Sequence, residues 1–341
     1  MNGGYIFHES PGRPTDSAAW NDQCSCCSNL HQTTFFDEVQ AFFGQRPVYL
    51  EVWNGNVLLG GVKLYVYQPK RCRFLLKPFG GYVLQAGEAI SCGGGLKDDV
   101  IAALNNNTEA LLRKLRPMFF RAYGYYDHPG LLMAPARSKT ADTFEFGNAW
   151  IDLNRDEASL WDGIHEHHRR QIRKAENAGL ALTDDGDDAS LNRLLAETYG
   201  LNPQQQPNPA FVSHFFRCMA AVRMARIFVV SEGTKPLSAA CVTTFGTSAA
   251  YAFGGNTRNN AGASHYLHWK VACILRKEGF MRYYLGQVSV NAAENDKFGA
   301  GISPFKRRFG VCETVNYRKT YIFKPVSAGI WNQLTRLTGK R

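Results

Sequence analysis

The stretch that decides the fold runs from Tyr251 to Gly310. It begins Y-A-F-G-G-N-T-R-N-N-A-G-A-S-H-Y-L-H-W-K-V-A-C-I-L-R-K-E-G-F-M-R-Y-Y-L-G (251–286) and ends I-S-P-F-K-R-R-F-G (302–310). A β-rich run, Ala249 to Phe253, meets Gly254 and Gly255. A polar loop follows. The spacing then predicts a helix over about His265 to Glu278, with Ser264 as N-cap, Gly279 as stop, and Leu267, Val271 and Ile274 on one face. A second apolar run, Arg282 to Leu285, comes straight after. Strand, loop, helix, strand of this length is a βαβ-like unit. The loop Arg258-Asn259-Asn260-Ala261-Gly262-Ala263 stands just before the helix. Unpaired N–H groups and the helix dipole favour an anion there, and small residues let a phosphate approach the backbone. A connection whose small residue serves packing would look the same.

Working outward, R-I-F-V-V, L-S-A-A-C-V-T-T-F and A-A-Y-A-F-G-G precede the loop, with turns at Glu232 to Pro236 and Gly246-Thr247. The first half has the same order. P-V-Y-L-E-V-W, an Asn54-Gly55 turn, V-L-L-G-G-V-K-L-Y-V-Y, a basic turn at Lys70-Arg71 and R-F-L-L-K-P-F-G-G predict three antiparallel strands. Phe79-Gly80-Gly81 stands where Phe253-Gly254-Gly255 stands later. Because order as well as composition repeats, one α/β unit is expected twice. Other expected elements are a helix from Phe35 to Phe43, a helix from about Thr108 towards Tyr123, broken or kinked at Pro117, a strand at Leu131 to Met133, helices over Leu191 to Tyr199 and Ala210 to Met224, and a last strand from Tyr317 to Phe323. The expected fold class is mixed α+β, with boundaries at residues 1–150, 151–325 and an amphipathic tail, 326–341.

Between the halves, residues 155–179 predict a basic helix. Asn154 and Glu157 have capping-box spacing, and Leu160, Ile164, His168, Ile172 and Ala175 lie near one face, with Gly179 closing the helix. Arg169 and Arg173 are four apart and can project together, which suits a phosphate. A solvated basic face fits the same residues. His165-Glu166-His167-His168 invites a metal reading but fails the H-E-x-x-H pattern, because Arg169 stands four after His165. No metal site is expected on this helix, nor at Cys24-Ser25-Cys26-Cys27, which lacks a second cysteine pair.

The chain of 341 residues has a formal charge of +10. That balance favours anionic partners such as RNA, phosphorylated sugars, coenzyme A or anionic lipid heads. No apolar run approaches the ~18 residues of a spanning helix, and the N-terminus lacks a signal-peptide pattern. A cytoplasmic protein is expected, with a tail suited to docking on the body or lying on the inner face of the membrane.

The loop before the helix resembles the pyrophosphate loop of GCN5-related N-acyltransferases (GNAT), with Ala261 where that pattern has its first glycine. The segment L-W-D-G-I-H-E-H-H-R-R-Q-I-R-K-A-E-N-A-G-L, then H-Y-L-H-W-K-V-A with Gly279 and Y-Y-L-G, and finally Phe305-Lys306 with Phe309-Gly310 resemble FemABX-type transferases, which are tandem pairs of GNAT-like domains. A polysaccharide-associated acetyltransferase-like group shares much of this pattern. The resemblance implies two tandem GNAT-like domains, each a mostly antiparallel twisted sheet flanked by helices. It implies acyl transfer without a tightly bound cofactor. The donor co-substrate would be aminoacyl-tRNA or acyl-CoA, the acceptor a phosphorylated sugar or muramyl-peptide precursor, and DNA is not an expected partner.

By the same resemblance, Lys306 stabilises the developing oxyanion or the tRNA 3′ end, and Phe305 stacks beside it. Arg307 and Arg308 make that stretch strongly cationic. Arg169 and Arg173 are candidates for the acceptor's phosphates. Arg258, Gly262 and Ala263 are candidates for the donor, and Tyr251 and Tyr284 for the cleft wall. His265 and His268 are expected to be hydrogen-bonded structural histidines before they are bases. The competing expectations are an acyl-CoA-dependent N- or O-acetyltransferase of polysaccharide biosynthesis, and a non-catalytic RNA-binding or scaffold protein. Only the second domain is expected to bind a donor, since Gly93-Gly94-Gly95 has no basic residue placed like Arg258.

Overall fold

The computed structural model describes residues 5–67, 81–91, 96–125, 139–200, 203–258, 261–290, 302–324 and 326. The chain forms two compact units, residues 1–145 with 316–341, and residues 146–315. The division thus falls a few residues before the expected one, and the last strand belongs with the first unit. Pairing explains this: Asn316 to Ile322 run antiparallel along Tyr125 to Phe119, and Tyr317 and Tyr321 enter the first unit's core.

In the first unit, β1 (Ile6–Pro11), β2 (Gln45–Asn54), β3 (Val57–Tyr67), β4 (Tyr82–Gln85), β5 (Phe119–Tyr125) and β12 (Cys312–Ile322) lie side by side in that order. Neighbours are antiparallel except β4 and β5, which are parallel and joined through α3 (Asp98–Leu115). Helices α1 (Ser17–Cys26) and α2 (Asp37–Ala41) precede β2. The helix expected to run towards Tyr123, broken or kinked at Pro117, is broken there. Arg116 takes a left-handed cap (φ 48) before Pro117, and the aromatic run beyond forms β5, with Phe120 and Ala122 in the core. The third strand expected near 73–81, the strand at 131–133, the glycines 93–95 and nearly all of the tail lie outside the described residues. The buried polar centre of this unit is Lys63 on β3. It is fully buried, 2.8 Å from Asp37 Oδ1, and donates to the Thr33 carbonyl at 2.5 Å. Tyr49 and Tyr65 donate their hydroxyls to the same carboxylate. Burial holds the lysine down to about 8 against the opposing pull of Asp37.

In the second unit the order is β6 (Lys139–Asp152), β11 (Arg282–Val288), β10 (Ser248–Asn256), β9 (Lys235–Phe245), β8 (Ala225–Glu232), β7 (Ala181–Thr183). Again one neighbouring pair is parallel, β10 with β11, joined through α8 (Ala263–Lys277). The helices before it are α4 (Glu157–Gly163), α5 (Glu166–Asn177), α6 (Asp188–Thr198) and α7 (Pro209–Ala221), and α9 (Ile302–Arg307) follows β11. The series β1-β2-β3-β4-α3-β5 is thus repeated as β7-β8-β9-β10-α8-β11, as the duplicated sequence order predicts. Among the described residues no helix is long and apolar enough to cross a membrane.

The basic helix expected over 155–179 is two helices. Ile164 and His165 are extended (ψ 132° and 141°), which turns the buried Ile164 into the core. Asp156, not Asn154, caps the first helix by accepting from Ser159 N at 2.8 Å. Ser264 is likewise not a cap: it is buried inside the first turn of α8, and Gly262 is the N-cap, with φ +87°. A Cβ on Gly262 would lie 2.4 Å from the Gln171 carbonyl oxygen, so the missing side chain is what lets α8 start against the backbone of α5. Lys270 and Glu176 tie the same helices at 3.1 Å. Gly279 also has positive φ, but nothing lies within 4 Å of its Cβ position. Gly262→Ala is expected to cost about 1–3 kcal/mol from overpacking beyond the left-handed backbone penalty. Gly279→Ala carries only that penalty, about 1–2 kcal/mol. Urea denaturation followed by the tryptophans of this unit checks the order; equal midpoints for the two variants would contradict it.

Candidate active site

Strands β10 and β11 pair over only three positions, Ser248 with Arg282, Ala249 with Tyr283 and Ala250 with Tyr284. Both strands continue, and each is distorted just past the last pair. β10 bulges against β9 between Tyr251 and Phe253, and β11 against β6 between Tyr284 and Gly286. Bulges bend a strand and raise its twist. The parallel strands therefore part here, and their facing edges lose a strand partner. An extended ligand can add its own backbone-like groups to such edges.

Helix α9 is fastened to the end of β11 beside this gap. Lys306 Nζ donates to the Gln287 carbonyl at 2.8 Å, Arg307 Nη2 to the Ser289 carbonyl at 2.7 Å, and Ser289 N to Ser303 Oγ at 2.9 Å. Arg307 is committed further, to Glu313 at 2.7 Å. Lys306 forms no ion pair among the described residues. Its ammonium has lost water without gaining a carboxylate, so burial alone pushes it down to about 8. A half-buried cation with spare donors is suited to a developing oxyanion.

Aromatic rings and histidines pack behind Lys306. His268 Nδ1 lies 3.0 Å from the Tyr283 hydroxyl, and its ring meets Tyr251 edge-on at 5.0 Å. His168 Nε2 is 2.9 Å from the Phe305 carbonyl oxygen. The rings of His168 and His265 meet at 4.4 Å, and each lies 5.1 Å from the Phe305 ring. Burial is the largest cause holding His168 down to about 4 and His265 and His268 to about 3. Neighbouring histidines add to it in each, with Arg308 beside the first two and Lys306 beside the third. These rings are neutral near pH 7. Burial pushes the Tyr251 and Tyr283 hydroxyls up, so both stay protonated.

The expected site residues fall into three groups. Lys306, Phe305 and Tyr251 belong to one cluster, although the Phe305 ring packs against His168, His265 and Phe309 in the interior. Arg308 is exposed and is felt by His168 and His265 through its charge. Gly262 and the fully buried Ala263 open α8, which has no side-chain cap; Gly262 there serves packing, and Arg258 is exposed nearby in sequence. Arg169, Arg173 and Tyr284 make other contacts. Arg169 Nη1 donates to the Asp162 carbonyl at 3.1 Å and so caps the end of α4, while Arg173 lies over the Trp161 ring at 5.4 Å. Tyr284 projects from the face opposite Tyr283 and packs against Trp150 at 5.8 Å, so it does not share a wall with Tyr251. Of the expected structural histidines, His268 has its partner in Tyr283; His265 Nδ1 has none among the described residues. Sequence reasoning placed His168 on the apolar face but gave it no role. That apolar-face position was the available signal for its burial, at 1% exposure.

Residues 164–307 match the family model described as an acetyltransferase (GNAT) domain. No curated protein matches the chain by sequence. Among solved structures, FemX is similar over 98% of this chain and 100% of its own, at 12% identity and a TM-score of 0.69. L-PGS from Bacillus licheniformis is similar over 97% of this chain and 99% of its own, at 12% identity and 0.57. A tandem GNAT protein from the clavulanic acid biosynthesis pathway is similar over 92% and 98%, at 15% identity and 0.53. At these identities the likeness is one of fold, and it extends over nearly the whole chain. Residues 164–307 thus match a GNAT domain, and the chain has the fold shared by FemX and the tandem GNAT protein.

Proposed function

We propose that this chain transfers an activated aminoacyl group to an amine of a cell-envelope precursor, with Lys306 stabilising the oxyanion. The observation that carries the reading is the placement of the Lys306 ammonium, without a carboxylate partner among the described residues, where β10 and β11 part. The acceptor amine attacks the ester carbonyl carbon, a C–N bond forms, and the carbonyl electron pair moves to oxygen. Lys306 donates a charge-assisted hydrogen bond to that oxygen. Collapse breaks the C–O bond, and the departing 3′ hydroxyl takes up the proton that the amine loses. The open edges of β10 and β11 position the donor, and the exposed Arg258 and Arg308 offer cations for its phosphates. The resemblance of Phe305-Lys306 and Phe309-Gly310 to FemABX-type transferases supports a donor and acceptor of this kind.

An acyl-CoA donor is the second reading, favoured by a specific feature. Ala261 and Gly262 are both left-handed (φ 49° and 87°) immediately before the start of α8, which has no side-chain cap, a backbone arrangement suited to a pyrophosphate. Transfer from a thioester would break a C–S bond in place of C–O, with the same role for Lys306. Thermal-shift titration with coenzyme A, acetyl-coenzyme A, charged and uncharged tRNA, and UDP-muramyl peptides separates the two. A rise with charged tRNA or muramyl peptide is expected. A rise with coenzyme A ligands alone would move the chain to the second reading.

Lys306→Ala is expected to lower kcat by about 10²–10³-fold, the loss seen when one oxyanion donor is removed. The folded lysine titrates near 8 because its charged form is penalised, so it is protonated below that value and loses its charge above it. Activity should therefore fall as pH rises through about 8. Lys306→Arg should move that limb upward, since a guanidinium keeps its charge. Unchanged transfer in Lys306→Ala, measured in single turnover, would remove the lysine from the mechanism.

A further inference from the structure

We propose that His167, His168 and His265 form a binding site for a transition-metal ion of the Zn²⁺ class, joining the first turn of α5 to the first turn of α8. One ring nitrogen from each lies within 4.8 Å of the others. Nitrogens bound to one zinc at about 2.0–2.1 Å stand roughly 3.3–3.4 Å apart, so side-chain rotation closes the difference. His167 is half-buried and its ring is 6.0 Å from each of the other two, which leaves it room to turn inward.

The hydrogen bonding fixes which nitrogen is offered. A carbonyl oxygen only accepts, so His168 Nε2 carries the proton it donates to Phe305, and the neutral ring has a bare lone pair on Nδ1. That Nδ1 is buried and has no partner among the described residues, and the same holds for His265 Nδ1. Two unpaired buried nitrogens in contacting rings are costly, and one bound cation satisfies both. The Phe305 carbonyl is then the outer partner that a metal-bound imidazole ordinarily has.

The surroundings choose the metal. Two helix N-termini and Arg308 disfavour a cation, so nothing here attracts Mg²⁺ or Ca²⁺, which need oxygen ligands. Zn²⁺, Cu²⁺ and Ni²⁺ bond imidazole strongly enough to overcome that field. Three protein ligands leave a fourth position open. Since the carbonyl held by His168 belongs to the residue before Lys306, the ion also stiffens the backbone that carries the lysine.

The test is calorimetric titration of the full chain, first treated with a chelator, with Zn²⁺ alone at neutral pH. The d–d spectrum of bound Co²⁺ reports coordination independently of any transfer activity. One equivalent is expected to bind, with a four-coordinate Co²⁺ spectrum and no response to Mg²⁺. His167→Ala and His265→Asn are each expected to weaken binding by more than about tenfold. His214→Ala, which removes a histidine 3.6 Å from Cys218 on α7, should leave binding intact. His168→Ala sits in the core and can fail to fold, so the two half-buried variants decide. No binding, or binding unchanged in both of those variants, overturns the proposal.

Discussion

Two parallel strands cannot be joined by a tight turn, and most of the second unit follows from that constraint. Placing β10 beside β11 forces a helix between them, and the first turn of α8 must then arise close to the end of β10. The same three-pair contact is too short to hold the strands together along their full length, so they separate at the two bulges. The gap, the start of α8 and the helix α9 fastened to the end of β11 come together as one consequence. In the first unit β4, α3 and β5 obey the same rule with different side chains.

The two units also show how one electrostatic condition can serve opposite ends. Lys63 and Lys306 are both held near 8 by burial. Lys63 is surrounded by an aspartate, a backbone carbonyl and the rings of Tyr49 and Tyr65, so its donors are spent on the protein. Lys306 has one carbonyl and no carboxylate partner among the described residues. A lysine of the first kind specifies how a core packs; one of the second kind retains donors for another molecule.

Much of this was legible in the chain. The repeated strand-turn order around Asn54-Gly55 and Glu232 to Pro236 carries hairpin signals that need no tertiary information, and the structure shows the same strand series twice. Lys306 and Phe305 are singled out by the resemblance of a short local stretch, Phe305-Lys306 with Phe309-Gly310, to FemABX-type transferases. What was hidden depends on contacts distant in sequence. Gly262 reads as a phosphate-loop glycine, and its second duty, to let the Gln171 carbonyl approach, is invisible in the chain. The break at Ile164 obeys the core rather than helix propensity. Tyr251 and Tyr284 look equivalent in the chain, yet Tyr284 is in register with Ala250, so strand alternation puts the two tyrosines on different faces. The histidines fail the H-E-x-x-H pattern at Arg169, and His265 stands on a helix almost a hundred positions away, beyond the reach of any local motif.

Assigning residues 316–322 to the first unit has a consequence for biosynthesis. Residues 146–315 are one continuous segment, whereas the first unit is drawn from both ends of the sequence. The first unit lacks its sixth strand until that whole segment has been made, because β5 pairs with residues near the C-terminus. On the ribosome the N-terminal part therefore cannot complete its sheet before the rest is made, as it would in the usual order. While the later half emerges, one edge of β5 is a waiting template, and Phe120 and Ala122 face a core still missing Tyr317 and Tyr321.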